Sequence, residues 1–221
     1  MNVSDAVRER RSVRGFLDKE VPLDVLKDLA LTSARAATGG NIQPWHIDIV
    51  TGEKMAELKE IMRGKIERRE TETPGYDIYP REMTDATKAR TFQIGEIMYG
   101  HLGIPREDKR ARAQWFARNF QFFGAPAAFF VTVDRRMGPP QWADLGMYLQ
   151  NLMLLAVEKG LATCPQECWA VYPNTVETFL GTPPERMLFC GVAIGYEDAD
   201  EPANRTRSPR APEEEWLTVL A

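Results

Sequence analysis

Histidine is nearly missing from this chain and cysteine is scarce: His46 and His101 stand beside Cys164, Cys168 and Cys190. An odd, sparse set of cysteines makes no disulfide framework. The gap between Cys164 and Cys168 is a poor zinc spacing, with no second pair or histidine cluster to complete it, so no metal site is expected. Also missing are a Gly-x-Gly-x-x-Gly turn and a Walker A loop, which excludes the two commonest nucleotide cradles. No Ser/His/Asp constellation marks a nucleophile. No apolar run approaches the ~18 residues of a membrane span, and residues 1–20 are charged throughout, unlike a secretory leader. The expectation is a cytoplasmic protein in a reducing compartment, without membrane partners. A net charge of −4 argues against general nucleic-acid binding.

What is present suits one folded unit. The 221 residues are 43% hydrophobic, enough for a full core, and neither repeats nor a linker interrupt them. A short helix is predicted from Asp5 to about Arg11, with Ser4 as cap. Pro22 suits the first turn of a second helix carrying Leu26, Leu29, Ala30 and Ser33 on one face. Thr38-Gly39-Gly40-Asn41 breaks it, and the alternation of Trp45, Ile47 and Ile49 reads as a strand. Further helices are predicted over Glu53 to Arg68, 85–102 and Trp142 to Lys159. The apolar runs Ala127 to Val133 and Met187 to Ile194 read as buried strands. Residues 70–85, rich in proline and tyrosine, read as loop. The last apolar piece, Trp216 to Leu220, needs a partner. A mixed central sheet covered by helices is the expected architecture.

Two segments carry chemistry. Arg10, Arg11, Ser12 and Arg14 crowd the end of the first helix, and guanidinium forks with a hydroxyl suit phosphate oxygens. An exposed basic helix end explains the same residues more plainly. In Gly39-Gly40-Asn41-Ile42-Gln43-Pro44-Trp45, the glycines allow a close backbone approach. The Asn41 and Gln43 amides match a ring edge bearing carbonyls and nitrogens. An ordinary helix-to-strand turn is the plain alternative.

In their order these segments resemble the nitroreductase family of FMN-dependent flavoproteins. Arg10-Arg11-Ser12-Val13-Arg14 is similar to that family's phosphate-binding opening, and Asn41-Ile42-Gln43-Pro44-Trp45 to its signature turn. Gly160 to Cys168 resembles its flavin-facing loop, and Asn204-Arg205-Thr206-Arg207-Ser208-Pro209-Arg210 its basic tail. The four motifs span nearly the whole chain. The resemblance implies an α+β, three-layer fold and an intertwined homodimer, with residues 1–221 as a single FMN-binding domain. Residues of about 70–120 would form a helical lid over the active site. It also implies an NADH- or NADPH-dependent FMN oxidoreductase that reduces nitroaromatic or related small acceptors by a ping-pong hydride mechanism.

The implied FMN contacts are Arg10, Arg11, Ser12 and Arg14 at the phosphate and ribityl chain, with Arg207 or Arg210 adding charge. Pro165, Gln166 and Glu167 would line one flavin face, the Glu167 backbone N–H near N5. Thr38, Gly39, Asn41 and Gln43 would complete the partner's site. The flavin N5 carries the chemistry, so no side chain is assigned a catalytic role. Tyr76 and Phe122 are candidate walls for a flat substrate, with Tyr79 a further one. Within the family, the long segment from about Gly75 to Arg118 resembles the branch that reduces nitrobenzoates and related nitroaromatics; Arg106, Lys109, Arg110 and Arg112 in it offer charge for an anionic acceptor, or a solvated helix face. The chain departs from the family pattern in two places. Ala37-Thr38-Gly39-Gly40-Asn41 replaces a common Pro-Ser-x-x-Asn, and Cys168 stands where glycine is common, most simply as a small buried residue. Same-fold alternatives are quinone, alkene or flavin reduction and reductive dehalogenation. A different class is a non-enzymatic FMN-binding or anion-sensing module.

Overall fold

The computed structural model describes residues 1–220. In chain order the regular elements are α1 (Val3–Glu9), α2 (Leu23–Ser33), β1 (His46–Thr51), α3 (Gly52–Glu67), α4 (Asp85–His101), α5 (Lys109–Ala117), β2 (Ala127–Asp134), α6 (Pro139–Glu158), β3 (Ala162–Gln166), α7 (Pro173–Leu180) and β4 (Arg186–Gly195). Short 3₁₀ turns join them, among them Arg118–Gly124, Glu167–Val171 and Pro202–Arg205.

The four strands lie in the order β1-β2-β4-β3, and every neighbouring pair is antiparallel. This corrects the expected mixed sheet. β2 and β3 do run the same way, as a helical crossover through α6 requires, but β4 inserts between them. Among the described residues, the one parallel strand contact is an isolated bridge between Ser12 and Thr163. β3 is itself a correction, because the segment resembling a flavin-facing loop is largely strand, paired with β4 from Ala162 to Gln166.

The central strand β2 explains the layering. Its side chains alternate faces, so Ala128 and Phe130 enter one core with Met55, Leu58 and Met62 of α3, Trp115 of α5 and Val176 of α7. Ala127, Phe129, Val131 and Val133 enter the other with Leu26 and Leu29 of α2 and Leu145, Leu149 and Leu152 of α6. The α+β fold is thus three layers, helices on both faces of one sheet, and a strand buried on both faces reads as a continuous apolar run.

One irregularity matters. The β2–β4 register skips between Val131 and Thr132, leaving Phe189 as an extra residue. Such a bulge leaves a ladder carbonyl unpaired. The Tyr76 hydroxyl donates to the Phe189 carbonyl. Of the helices, α4 has no buried residue. No helix among the described residues is long and apolar enough to cross a membrane.

Candidate active site

α1 stops at Glu9, capped at its start by the Asn2 side chain, which accepts from the Asp5 N–H at 3.0 Å. The chain then runs extended, so Arg10, Ser12 and Arg14 fall on one face and Arg11 and Val13 on the other. Val13 is buried and its N–H donates to the Thr163 carbonyl at 2.9 Å. Arg11 pairs with Glu197 and donates to the Asn204 carbonyl at 3.4 Å.

The two ends of the chain meet here. Asn204, buried, accepts from the Arg14 N–H at 2.7 Å and donates to the Gly15 carbonyl at 2.9 Å and the Asp198 carbonyl at 2.8 Å. The Leu17 N–H donates to the Tyr196 carbonyl and the Asp198 N–H to the Gly15 carbonyl. A Cβ on Gly15 would lie 2.3 Å from Glu201 Cγ, so only glycine admits this approach. Asn204 carries the junction and no role was read for its side chain. A lone asparagine in a polar tail gives no signal of burial.

The junction borders a cavity of about 390 Å³ lined by Arg10, Arg11, Ser12, Arg14, Arg207 and Arg210. Burial and the nearby Arg210 charge lower the Arg10 pKa. Burial and then the Arg11 charge lower that of Arg207, with Glu197 opposing. Arg10 and Arg207 are thus drawn partly out of water beside like charge, an arrangement that an anion relieves. Both Arg207 and Arg210 line the cavity. Arg11 differs from the others, since Glu197 already holds its guanidinium.

A second cavity, about 470 Å³, adjoins the first and shares Arg14 with it. Pro165, Gln166, Glu167 and Cys168 form one side, and Tyr79, Tyr99 and Phe116 supply aromatic surface, bordered by the buried Trp115 and Phe123. Gln166, buried at the end of β3, donates from Nε2 to the Asn119 carbonyl at 2.8 Å and accepts from Trp169 Nε1 at 3.3 Å. It ties the floor of the cleft to its aromatic wall. Burial pushes the Cys168 thiol up, with Cys164 adding to the effect; Cys164 is pushed up to about 11 by burial. Neither is a ready thiolate, which suits Cys168 as a small buried side chain at the cleft.

The expected wall at Phe122 is corrected. Phe122 has no exposed surface and its ring packs 4.7 Å from Trp169 and 5.9 Å from Phe130. Consecutive positive φ angles at Phe122 and Phe123, 52° and 53°, turn the chain so that Phe122 enters the core and Phe123 reaches the cleft. Tyr76 is not among the residues lining the cleft either. Its hydroxyl is taken by the sheet bulge and its ring packs against Trp142 at 5.4 Å. Tyr79, three residues on and 62% exposed, lines the cleft instead.

The turn at Thr38, Gly39, Asn41 and Gln43 lines neither cavity of its own chain. It is clamped on α6, where Asp144 Oδ2 accepts from the Thr38 hydroxyl at 2.9 Å and the Gly39 N–H at 3.2 Å. The Thr38 hydroxyl in turn accepts from the Gln43 N–H at 3.0 Å. Gly40, Asn41 and Gln43 all take positive φ. Asn41 and Gln43 stay exposed.

The nitroreductase family model matches residues 7–196. A 4-nitrobenzoate reductase of Nocardioides sp. is 34% identical over 97% of this chain and 88% of its own length. A chloronitrobenzene nitroreductase of Comamonas testosteroni is 33% identical over 99% and 96%. Among solved structures, the FMN- and NADPH-dependent nitroreductase NfnB of sphigopyxis sp. strain HMH superposes with a TM-score of 0.96 at 44% identity over the full length of both chains. Convergent chain ends, a shared arginine between two cavities and these likenesses together place the chain in the nitroreductase family.

Proposed function

We propose that this protein is an FMN-dependent NAD(P)H oxidoreductase acting on nitroaromatic or related small acceptors. The observation that carries the reading is the meeting of Arg10, Arg14, Arg207 and Arg210 at one cavity that opens, through Arg14, into an aromatic cleft. The FMN phosphate would lie among those arginines and Ser12, with charge-assisted bonds in fork geometry. Pro165 and Glu167 would border the ring, and Gln166 would act on it indirectly, by fixing the wall. FMN, once bound, supplies the ring that accepts hydride from a nicotinamide nucleotide and passes electrons to the acceptor. The chain's own work is to grip the phosphate, to offer flat apolar walls to flat partners and to limit water at the cleft.

Related structures favour NADPH as donor. The sphigopyxis enzyme is described as NADPH-dependent, and a Mycobacterium smegmatis NfnB, 27% identical with a TM-score of 0.92, is described in complex with NADPH. A homodimer completes the site in this reading. Thr38, Gly39, Asn41 and Gln43 form a bonded, largely exposed turn that lines neither of the two cavities described, and the exposed Val3, Val7, Leu31 and Trp216 need cover. Residues of about 70–120 serve as the lid, α4 lying along both cavities through Ile94, Met98 and Tyr99.

The purified protein is expected to be yellow, to bleach anaerobically with NADPH and to recolour on adding a nitroarene. A protein that holds FMN but does not bleach would point to a sensing module. One that takes up no FMN would sink the reading altogether.

A further inference from the structure

The cleft has almost no cation of its own to give to an acceptor. Among the described residues only Arg14 brings positive charge to its lining, and Arg14 also faces the phosphate cavity. The one carboxylate there, Glu167, is of the opposite sign. The neighbouring basic residues are committed elsewhere. Arg112 makes a two-pronged pair with Glu96, at 2.7 Å and 3.3 Å, and stacks 4.1 Å from the Tyr99 ring. Arg118 pairs with Glu201 at 2.9 Å and covers Trp115 at 4.3 Å. Arg106 lies over Phe92, and Lys109 and Arg110 do not line the cleft. The turn proposed to enter from a partner, Thr38 to Gln43, holds no ionisable side chain. Polar contact at the aromatic wall comes from Asn119, a neutral amide whose Nδ2 already donates to the Phe116 carbonyl at 2.8 Å.

From this we infer that the acceptor is an uncharged nitroarene, and that a ring carrying a carboxylate is disfavoured. Removing a carboxylate from water without a paired cation is costly. Curated relatives of nearly equal identity are described as acting on 4-nitrobenzoate and on chloronitrobenzene, so overall similarity does not choose between them. The charge of the cleft does. The inference rests on the flavin-centred reading of the same cleft.

The test uses the holoenzyme with NADPH and two acceptors matched in shape, 4-nitrobenzoate and its methyl ester. Their intrinsic difference in reducibility is removed by dividing by the ratio seen with free reduced FMN. The ester is expected to be favoured in kcat/KM by about tenfold or more, the size of one missing charge-solvating contact. The preference should persist at raised salt, where steering by the outer arginines is screened. Asn119→Arg should shift the ratio toward the carboxylate by about tenfold. Phe116→Arg, at a half-exposed position that spares the core, should do so more weakly. A corrected wild-type ratio at or below one overturns the inference, as does an unchanged ratio in both variants. If neither acceptor recolours the reduced protein, the flavin-centred reading itself has failed.

Discussion

The two walls of the candidate site are built in opposite ways. The phosphate side is stitched by a buried asparagine and by backbone bonds between residues nearly the whole chain apart. The proposed lid helix, α4, has no fully buried residue; Met98 and Tyr99 pack against the core, and side-chain ion pairs join Arg90 to Glu215 and Glu96 to Arg112. A buried, fully bonded junction is worth far more than exposed ion pairs. The junction of the chain ends is therefore the more strongly braced part of this fold, and the proposed cover over the cleft is the more lightly held.

Four experiments break or sharpen that contrast, from the largest effect down. Asn204→Ala removes one accepted and two donated bonds at a buried site and is expected to cost about 3 kcal/mol of stability, at ~1 kcal/mol for each bond. Urea unfolding measures it, and a loss under about 1 kcal/mol would show the junction to be looser than its geometry.

Arg14→Ala should leave the fold intact and weaken FMN binding by ~1.5–3 kcal/mol, the worth of a charged hydrogen bond. Arg11→Ala should act mainly on stability, because Glu197 holds its guanidinium. Titration of apoprotein with FMN separates the two, and equal affinity losses would contradict the distinction.

The foot of the lid segment is expected to be pH-sensitive. Burial would raise the Glu72 pKa, yet the Thr175 hydroxyl and N–H and the Lys65 ammonium outweigh it and hold Glu72 below the usual carboxylate range. A depressed folded pKa gives stability that is present above the unfolded value, ~4.3, and is lost as pH falls through the folded value. Glu72→Ala should cost about 1–2 kcal/mol at neutral pH, and the difference from wild type should shrink on acidification below about pH 4. A gap that is constant with pH would sever Glu72 ionisation from the effect.

The smallest change is at the lid's other end. Arg90→Ala should cost less than about 1 kcal/mol, a difference that fades in high salt. Hydrogen exchange in α4 is the better readout and should quicken while the Gly15 region stays protected. Parallel changes in both regions would erase the contrast drawn here.

The same contrast explains what could be read in advance. The basic cluster from Arg10 to Arg14 was visible in the sequence, but its residue types alone suited an exposed helix end as well as an anion cavity. The buried strands and amphipathic helices were legible through their periodicity. Phe122 was misassigned, and Tyr76 was seen without its bond to the sheet bulge, for a specific reason. An aromatic residue near a cleft in sequence can serve core, bulge or cleft, and the choice turned on two positive φ angles and on one unpaired sheet carbonyl. Neither leaves a mark on residue type. The Gly160 to Cys168 motif, whose last four residues line the cleft, was read as loop because its pairing with β4 is a long-range fact.

By itself the amino-acid sequence determined the periodic elements, the spacing of the basic residues and the family pattern, since each is local or additive along the chain. The tertiary structure alone decided that β4 would part β2 from β3, that Asn204 would lock the two ends together, and which arginines would be neutralised by carboxylates and which left facing a cavity. Those outcomes depend on contacts between residues far apart in the chain, where burial and charge pairing are set by packing and composition is silent.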